Sequence, residues 1–332
     1  MEKKVTFEKT KDNIRLFSLN SNLPLAEKIA RNLDLPLGEV AIKNFSDGEI
    51  AINIEESIRG KDIYLVQSTS HQINDYYMEI FVMADALRRA SANSINLVIP
   101  YYGYARQDRK AKSREPITAK LVANLMSRCG VDHVIAVDLH SPQIQGFFDI
   151  PTDHFTAQPV LANYFEKNYL EDKNQAVVVA PNHSAANFGR VYAEILDLPL
   201  AIIDDREDEE GNKALHPIGE VDKCQCIIVD DLTDTGSTIA QVSDVLMENG
   251  ASEVYALVTH PVLSGDASDK IMQSSLKKLV STDSIQLSEN QVNEKIEQIS
   301  ISHLLADGIV RVHERKTTGP LFKQEYMRGF ED

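Results

Sequence analysis

Ile227-Ile228-Val229-Asp230-Asp231-Leu232-Thr233-Asp234-Thr235-Gly236-Ser237-Thr238 reads as a short apolar strand, two carboxylates, and a Gly/Ser/Thr turn that opens a helix. Cys226 to Val229 is apolar without a break, the pattern of a parallel strand buried on both faces. Downstream, Ile239, Val242, Val245 and Leu246 form one stripe at helical spacing, and Gly250 supplies a C-terminal stop. Thr235, Gly236, Ser237 and Thr238 therefore offer backbone N–H groups and hydroxyls at the positive end of a helix, which is a cradle for phosphate. The acids beside it repel phosphate; they suit vicinal hydroxyls, as on a ribose, or a divalent cation. A ribose phosphate satisfies both halves of the motif. The competing reading is an ordinary capped strand-to-helix turn.

The chain has 332 residues, enough for two ordinary α/β domains with a core each. Its 43% hydrophobic and 25% charged residues are those of a folded globular protein. A net charge of −16 argues against a general nucleic-acid or membrane-surface role, so anionic ligands must be drawn in by local cationic clusters. Cys129, Cys224 and Cys226 have neither metal-binding spacing nor a C-x-x-C pair, and read as reduced thiols. Met1 to Val5 lacks an apolar signal region, and no apolar run is long enough to span a bilayer. The expectation is a cytoplasmic chain with no membrane and no nucleic-acid partner.

Upstream, apolar strands at Ile14–Leu19, Asp62–Gln67, Ile95–Ile99 and Val134–Val137 alternate with helical stretches at Leu23–Leu33 and about Asp75–Ala90. In the second helix Met78, Phe81, Val82 and Leu87 are expected inward. Such alternation predicts parallel sheets with right-handed crossovers. An internal echo points to duplication. A shift of 120 positions aligns Thr118–His140 with Thr238–His260 without a gap, with six identities in 23, and each copy runs from a helix through Gly130 or Gly250 into a strand ending at His140 or His260. Two similar halves follow, 1–150 and 151–332, with ligands beyond the carboxyl ends of the strands and between the halves.

In the first half, Tyr101-Tyr102-Gly103-Tyr104-Ala105-Arg106-Gln107-Asp108-Arg109-Lys110 is the densest cationic run following a strand. It suits a nucleotide, with tyrosine and guanidinium planes against the base and charges toward phosphates, and equally a solvated loop at an oligomer contact. Asp47 and Glu49, in the turn Phe45-Ser46-Asp47-Gly48-Glu49, suit hydrogen bonds from ribose or base nitrogens. His140, at the end of a buried strand, fits a Mg²⁺ shell, a phosphate contact or a structural role. His260 reads as structural.

These segments, with Glu55-Glu56-Ser57-Ile58-Arg59-Gly60, Ser113-Arg114-Glu115-Pro116 and Thr259-His260-Pro261-Val262-Leu263-Ser264-Gly265, closely resemble the ribose-phosphate pyrophosphokinases over nearly the whole chain. The resemblance implies two phosphoribosyltransferase-like α/β domains. It also implies transfer of the β,γ-diphosphoryl group of Mg·ATP to the C1 hydroxyl of ribose 5-phosphate, giving phosphoribosyl diphosphate and AMP. Phe45, Asp47, Gly48, Glu49, Arg106 and Gln107 fall on ATP-binding positions, with Phe45 meeting the adenine across a subunit boundary. Asp230, Asp234, Thr235, Gly236, Ser237 and Thr238 fall on ribose-5-phosphate positions, and His140 on a Mg²⁺ position. Hexamers built from dimers are implied, with phosphate and ADP as regulators.

The resemblance breaks where the chemistry is done. After Ile202-Ile203 the family carries a Lys-Arg-Arg-rich mobile loop; here Asp205 stands at the Lys position and Glu207 at the second Arg position, with Arg206, and more remotely Lys213, as substitute cations. Losing a cation that meets a transferring phosphoryl group costs about 10³–10⁵ in rate in the best-studied cases. In Pro181-Asn182-His183-Ser184-Ala185, Asn182 replaces a metal-associated Asp. Three readings follow: a working pyrophosphokinase, a catalytically weak paralogue that binds the same ligands and modulates an active partner in mixed oligomers, and a phosphoribosyltransferase. The duplicated halves count against the third, because a transferase needs one such domain.

Overall fold

A computed structural model describes residue 7, residues 11–207 and residues 213–323; of residues 205–207, 213 and 214 only the backbone is described. The first half runs β1 (Ile14–Ser18), α1 (Leu23–Leu33), β2 (Val40–Asn44), β3 (Ile50–Ile54), β4 (Asp62–Val66), α2 (Ile73–Arg89), β5 (Ser94–Ile99), α3 (Thr118–Cys129), β6 (His133–Val137) and β7 (Thr152–Phe155). The second runs α4 (Gln158–Asn168), β8 (Ala176–Ala180), α5 (Ala186–Leu196), β9 (Leu200–Glu207), β10 (Lys213–Ile218), β11 (Gln225–Thr233), α6 (Ser237–Glu248), β12 (Glu253–Pro261), α7 (Ala267–Gln273), β13 (Lys278–Thr282), β14 (Ile296–Ile299) and α8 (Ser302–Glu314).

The local signals that build these elements are ordinary ones. At α1, the Asn22 carboxamide accepts the Leu25 N–H at 3.2 Å, Pro24 sits in the first turn, and Asp34 closes the helix with φ 52°. Gly130 (φ 112°) caps α3, and Gly250 (φ 91°) follows α6, so both copies of the sequence echo end on a left-handed residue before their strand.

β1-β4-β5-β6-β7 form a parallel five-stranded sheet. β10-β9-β8-β11-β12-β13-β14 form a seven-stranded sheet, parallel except for the antiparallel β9–β10 hairpin. The fold is thus α/β with two mainly parallel sheets flanked by helices. The first sheet takes its fifth strand from Thr152–Phe155, past the boundary expected at Ile150-Pro151, because β7 pairs with β6 before the chain crosses over. Residues of α1, α4, α5 and α8, including Leu25, Ile29, Leu161, Phe165, Tyr192 and Leu305, share one apolar core with Ile14 and Val98 of the first sheet and Val178 and Ile227 of the second. α2 and α3 cover the other face of the first sheet, and α6 and α7 that of the second. The halves are therefore packed into one body through a shared layer of helices.

Two expectations need correction. α2 presents Tyr77, Ile80, Met83, Ala84 and Leu87 inward, whereas Met78 is 49% exposed and Phe81 and Val82 are half-buried. The inward face is rotated by about one residue, and it includes the buried Glu79 carboxylate, which accepts from Gln67 Nε2 at 2.6 Å and Asn20 Nδ2 at 2.6 Å. Asp204–Glu207 continues strand β9 where a loop was expected, because it pairs with β10 through Asp204↔His216, Asp205↔Leu215, Arg206↔Ala214 and Glu207↔Lys213.

Helix α8 reaches back across the molecule, and a side chain at Gly308 would place its Cβ 2.2 Å from the ring of Phe155, a fully buried residue of β7. Overpacking a filled core costs about 1–3 kcal/mol. Gly308→Ala is expected to lower the unfolding free energy by that amount, read as a lower denaturant midpoint at unchanged m, and Gly308→Ala with Phe155→Leu to recover part of it; unchanged midpoints would contradict this packing.

Candidate active site

The strand order of the second sheet reverses between β8 and β11, so a crevice opens at their carboxyl ends, the usual ligand position in open α/β sheets. β11 runs on through Asp230, Asp231 and Leu232 to Thr233, longer than its apolar run, because β12 keeps pairing with it as far as Thr233↔Pro261. The two carboxylates thus stand on the last turns of a strand rather than in a loop. Gly236, with φ 71°, makes the sharp entry into α6, and a Cβ there would lie 3.0 Å from the Ala267 carbonyl oxygen. The Thr235 hydroxyl donates to Ser237 Oγ at 3.2 Å, and Thr238 is exposed at the helix start. Thr235 to Thr238 thus form the strand-to-helix turn expected from the sequence, at the N-terminus of α6.

The first half closes over this turn. Arg106 Nη2 lies 2.8 Å from Asp234 Oδ2, and His140 Nδ1 lies 2.7 Å from Asp231 Oδ2. Tyr101, Tyr102, Ala105, Asp138, Leu139 and His140 line a shallow recess jointly with Asp231, Leu232 and His260. The charges are tightly linked. Burial first, then the neighbouring Asp231, pushes the Asp230 carboxyl up to about 8, against the pull of His140. The hydrogen bond to Asp231 holds the His140 imidazole above its ordinary value although burial pushes it down. Burial also pushes the Asp234 carboxyl up, but the Ser264 hydroxyl and the Arg106 guanidinium more than cancel that, so it stays below the usual carboxylate range.

Not every expected site residue joins this cluster. Phe45, Asp47, Gly48 and Glu49 sit at the tip of the separate β2–β3 hairpin, where Gly48 has φ 94°, the Glu49 N–H donates to Asp47 Oδ1 at 3.1 Å, and Phe45 is 59% exposed. Among the described residues, no hydrogen bond or ion pair joins that tip to Arg106 or Gln107. Gln107 is exposed, and its Oε1 accepts the Thr118 hydroxyl at 2.6 Å. Of the three tyrosines considered from sequence as a platform for a base, Tyr101 and Tyr102 are turned inward. The Tyr102 hydroxyl is spent on the Ala119 carbonyl at 2.7 Å, and Tyr101 is buried with its ring centroid 5.1 Å from that of His260. Their aromatic bodies pack the loop instead of facing solvent.

Asn182 accepts the Ala185 N–H at 3.0 Å and so caps the turn after β8. Beside it, His183 Nε2 pairs with Asp204 Oδ1 at 2.9 Å. The side chains of Asp205, Arg206, Glu207 and Lys213 lie outside the described residues; along the strand, residues 205 and 207 share one phase of the pleat and residue 206 the other. Asp231, one of the two carboxylates read from the sequence as suited to ribose hydroxyls or a cation, is the hydrogen-bond partner of His140. Sequence reasoning did not single out His71, which is held at φ 57° in the loop after β4; burial lowers its imidazole pKa, against the opposing charge of Asp234. Local sequence signals neither neighbour, because each comes from the other half.

Comparison with known proteins agrees with this architecture. Residues 14–130 match the family model for the N-terminal domain of ribose phosphate pyrophosphokinase, and residues 213–323 the phosphoribosyl synthetase-associated domain. Ribose-phosphate pyrophosphokinase 1 of Streptococcus pneumoniae is 51% identical over 316 residues, covering 94% of this chain and 98% of its own. Ribose-phosphate pyrophosphokinase of Bacillus cereus is 50% identical over 311 residues, covering 93% and 97%. The crystal structure of phosphoribosylpyrophosphate synthetase from Mycobacterium smegmatis superposes with a TM-score of 0.86 at 36% identity, over 91% of this chain and 99% of that one. The chain belongs to the ribose-phosphate pyrophosphokinase family.

His260 is structural, as read from its sequence. It is buried; its Nε2 lies 3.2 Å from the Val137 carbonyl oxygen and 3.1 Å from that of Asp138, and its Nδ1 2.9 Å from Ser284 Oγ. Burial holds its imidazole below the ordinary 6.5. The unfolded chain then takes up a proton near pH 6.5 that the native protein refuses, so stability is full above that pH and falls as pH drops below it. His260→Gln is expected to flatten the stability curve as pH falls below 6.5; an equal slope in both proteins would show that this imidazole is not held neutral.

Proposed function

We propose that the protein binds Mg·ATP and ribose 5-phosphate and acts as a ribose-phosphate pyrophosphokinase. The observation that carries this reading is the Arg106–Asp234 contact at 2.8 Å, which sets the cationic loop of one half against the phosphate turn of the other. Thr235, Gly236, Ser237 and Thr238 take the 5-phosphate through backbone N–H groups and hydroxyls, and Asp230 and Asp234 take ribose hydroxyls. Arg106 and Gln107 face the nucleotide. Phe45, Asp47, Gly48 and Glu49 complete its site from a neighbouring subunit, consistent with a hairpin tip exposed in the single chain; this calls for a homo-oligomer, a hexamer by resemblance.

The C1 hydroxyl oxygen bonds to the β-phosphorus, the bond from that phosphorus to the α-bridging oxygen breaks, AMP leaves with that oxygen, and the hydroxyl proton passes to water. The chain contributes by holding the two substrates in line in a crevice enclosed by both halves. Mg²⁺ keeps several waters and needs only one or two carboxylates beside the substrate phosphates. Burial, and after it the charge of Asp231, pushes the Asp230 carboxyl up to about 8, so this end of the strand is short of positive charge and fits a cation that arrives with the nucleotide. Among the described residues no three His, Cys, Asp or Glu side chains form a metal cluster of their own; His140 and the Asp231 carboxylate beside it would hold the cation together with the substrate phosphates, and when bound it would neutralise charge on them. Three unpaired thiols at Cys129, Cys224 and Cys226 suit a reducing cytoplasm, and no helix among the described residues is long and apolar enough to cross a membrane.

A second reading, a catalytically weak paralogue that modulates an active partner, is favoured by Asp205, Glu207 and Asn182. The chain should form AMP slowly from Mg·ATP and ribose 5-phosphate, and not at all with a chelator in excess. The variant Asp205→Lys, Glu207→Arg, Asn182→Asp is expected to be faster by on the order of 10² or more, since an Asp caps the turn as well as an Asn does. Equal, robust rates would sink the role given to the acidic strand. Failure of both proteins to bind ribose 5-phosphate would sink the assignment itself.

A further inference from the structure

Asp234 belongs by position to the sugar-phosphate turn, yet its carboxylate reaches out of that turn to the other half. Its Oδ2 meets Arg106 Nη2 at 2.8 Å, while its backbone carbonyl accepts the Ser264 N–H at 2.8 Å and keeps the residue fixed at the entry to α6. Arg106 is 51% exposed and Asp234 only 23%, so the arginine is the mobile member and the carboxylate the anchored one. A guanidinium carries five N–H donors in a rigid fork, and the pair is formed through Nη2, so other donors remain to be aimed. Unrestrained, an arginine at the end of an exposed loop samples many rotamers, and binding through it costs the entropy of ordering it.

We infer that Asp234 is a positioning residue for the nucleotide: it holds the Arg106 guanidinium in place, so that the sugar-phosphate turn prepares the ATP site before any sugar phosphate is present. The inference rests on the assignment of Arg106 to the nucleotide. Preorganisation of this kind predicts an effect on ATP binding in the absence of ribose 5-phosphate, which a residue serving only the sugar does not produce.

The test is a double-mutant cycle on the full-length chain, reading the dissociation constant of a non-hydrolysable ATP analogue with Mg²⁺ and no sugar phosphate. Contacting charged pairs couple strongly enough that Asp234→Asn should weaken analogue binding by about 3- to 30-fold. Asp234→Glu should restore part of it, and Asp234→Asn should add nothing in an Arg106→Ala background. A loss of the same size in that background would assign the effect to damage in the turn and overturn the inference. So would analogue binding that Arg106→Ala weakens and Asp234→Asn leaves unchanged. If Arg106→Ala itself leaves analogue binding unchanged, the assignment of Arg106 to the nucleotide fails and the inference falls with it.

Discussion

A buried carboxylate sits at the centre of the polar seam between the two halves. Asp138, at the end of β6 with φ 36°, accepts the Ala157 N–H at 3.0 Å and the Thr259 hydroxyl at 2.7 Å through one oxygen, while its backbone carbonyl is met by His260. Around it Ser68 donates to the Ser284 carbonyl at 2.5 Å, Asn22 Nδ2 to the Asp283 carbonyl at 2.8 Å, and Lys28 pairs with the Asp283 carboxylate at 2.8 Å. Polar groups buried in such numbers are costly unless every partner is in place, so the seam fixes one relative setting of the sheets. The crevice depends on that setting, because His140 and Tyr101, which flank Asp138 in space, reach the second half only when the seam is closed.

Which parts were legible in the sequence follows from the range of the interactions involved. The β11–α6 turn, the alternation of strands and helices, and the paired Gly130 and Gly250 stops are set by residues within a few positions of one another, and these readings hold in the structure. The inward face of α2 was misjudged because the buried Glu79 looks solvated until Gln67 and Asn20, distant in sequence, are seen to satisfy it. Tyr101 and Tyr102 were given to a ligand because their partners, the ring of His260 and the Ala119 carbonyl, come from elsewhere in the chain. The contacts His140–Asp231 and Arg106–Asp234 were not readable for the same reason. Within the candidate site, the strand-to-helix turn at Thr235–Thr238 is local and its shape was readable; the charge pairs over it are not local and were not.

Those pairs distribute charge unevenly between the halves. At the carboxyl ends of the second sheet stand Asp204, Asp230, Asp231 and Asp234, all acids, on strands or turns of that half. Arg106 and His140, which meet Asp234 and Asp231, are both supplied by the first half. A chain of net charge −16 gains nothing from its overall field in attracting two phosphorylated substrates. Cations delivered across the seam offset this locally, and within the described cluster they do so only in the closed arrangement. Duplication of the α/β unit thus brings more than two copies of a fold, since the basic loop of one copy balances the acidic strand ends of the other.

The same physics explains how the chemistry of such a site can diverge while the fold stays put. A strand hairpin is held by backbone hydrogen bonds, so β9 pairs with β10 whichever side chains occupy residues 205 and 207. A turn cap needs an oxygen acceptor, which Asn182 supplies to the Ala185 N–H as an aspartate would. Neither position asks the fold for a particular charge. Phosphoryl transfer asks for little else, since stabilising the transferring group is a matter of where cations stand. Substitution at these positions therefore leaves the crevice, the turn into α6 and the inter-half pairs standing. What the fold demands of residues 182, 205 and 207 is a cap and a paired backbone, and their charge is free to vary without moving the strands around the crevice.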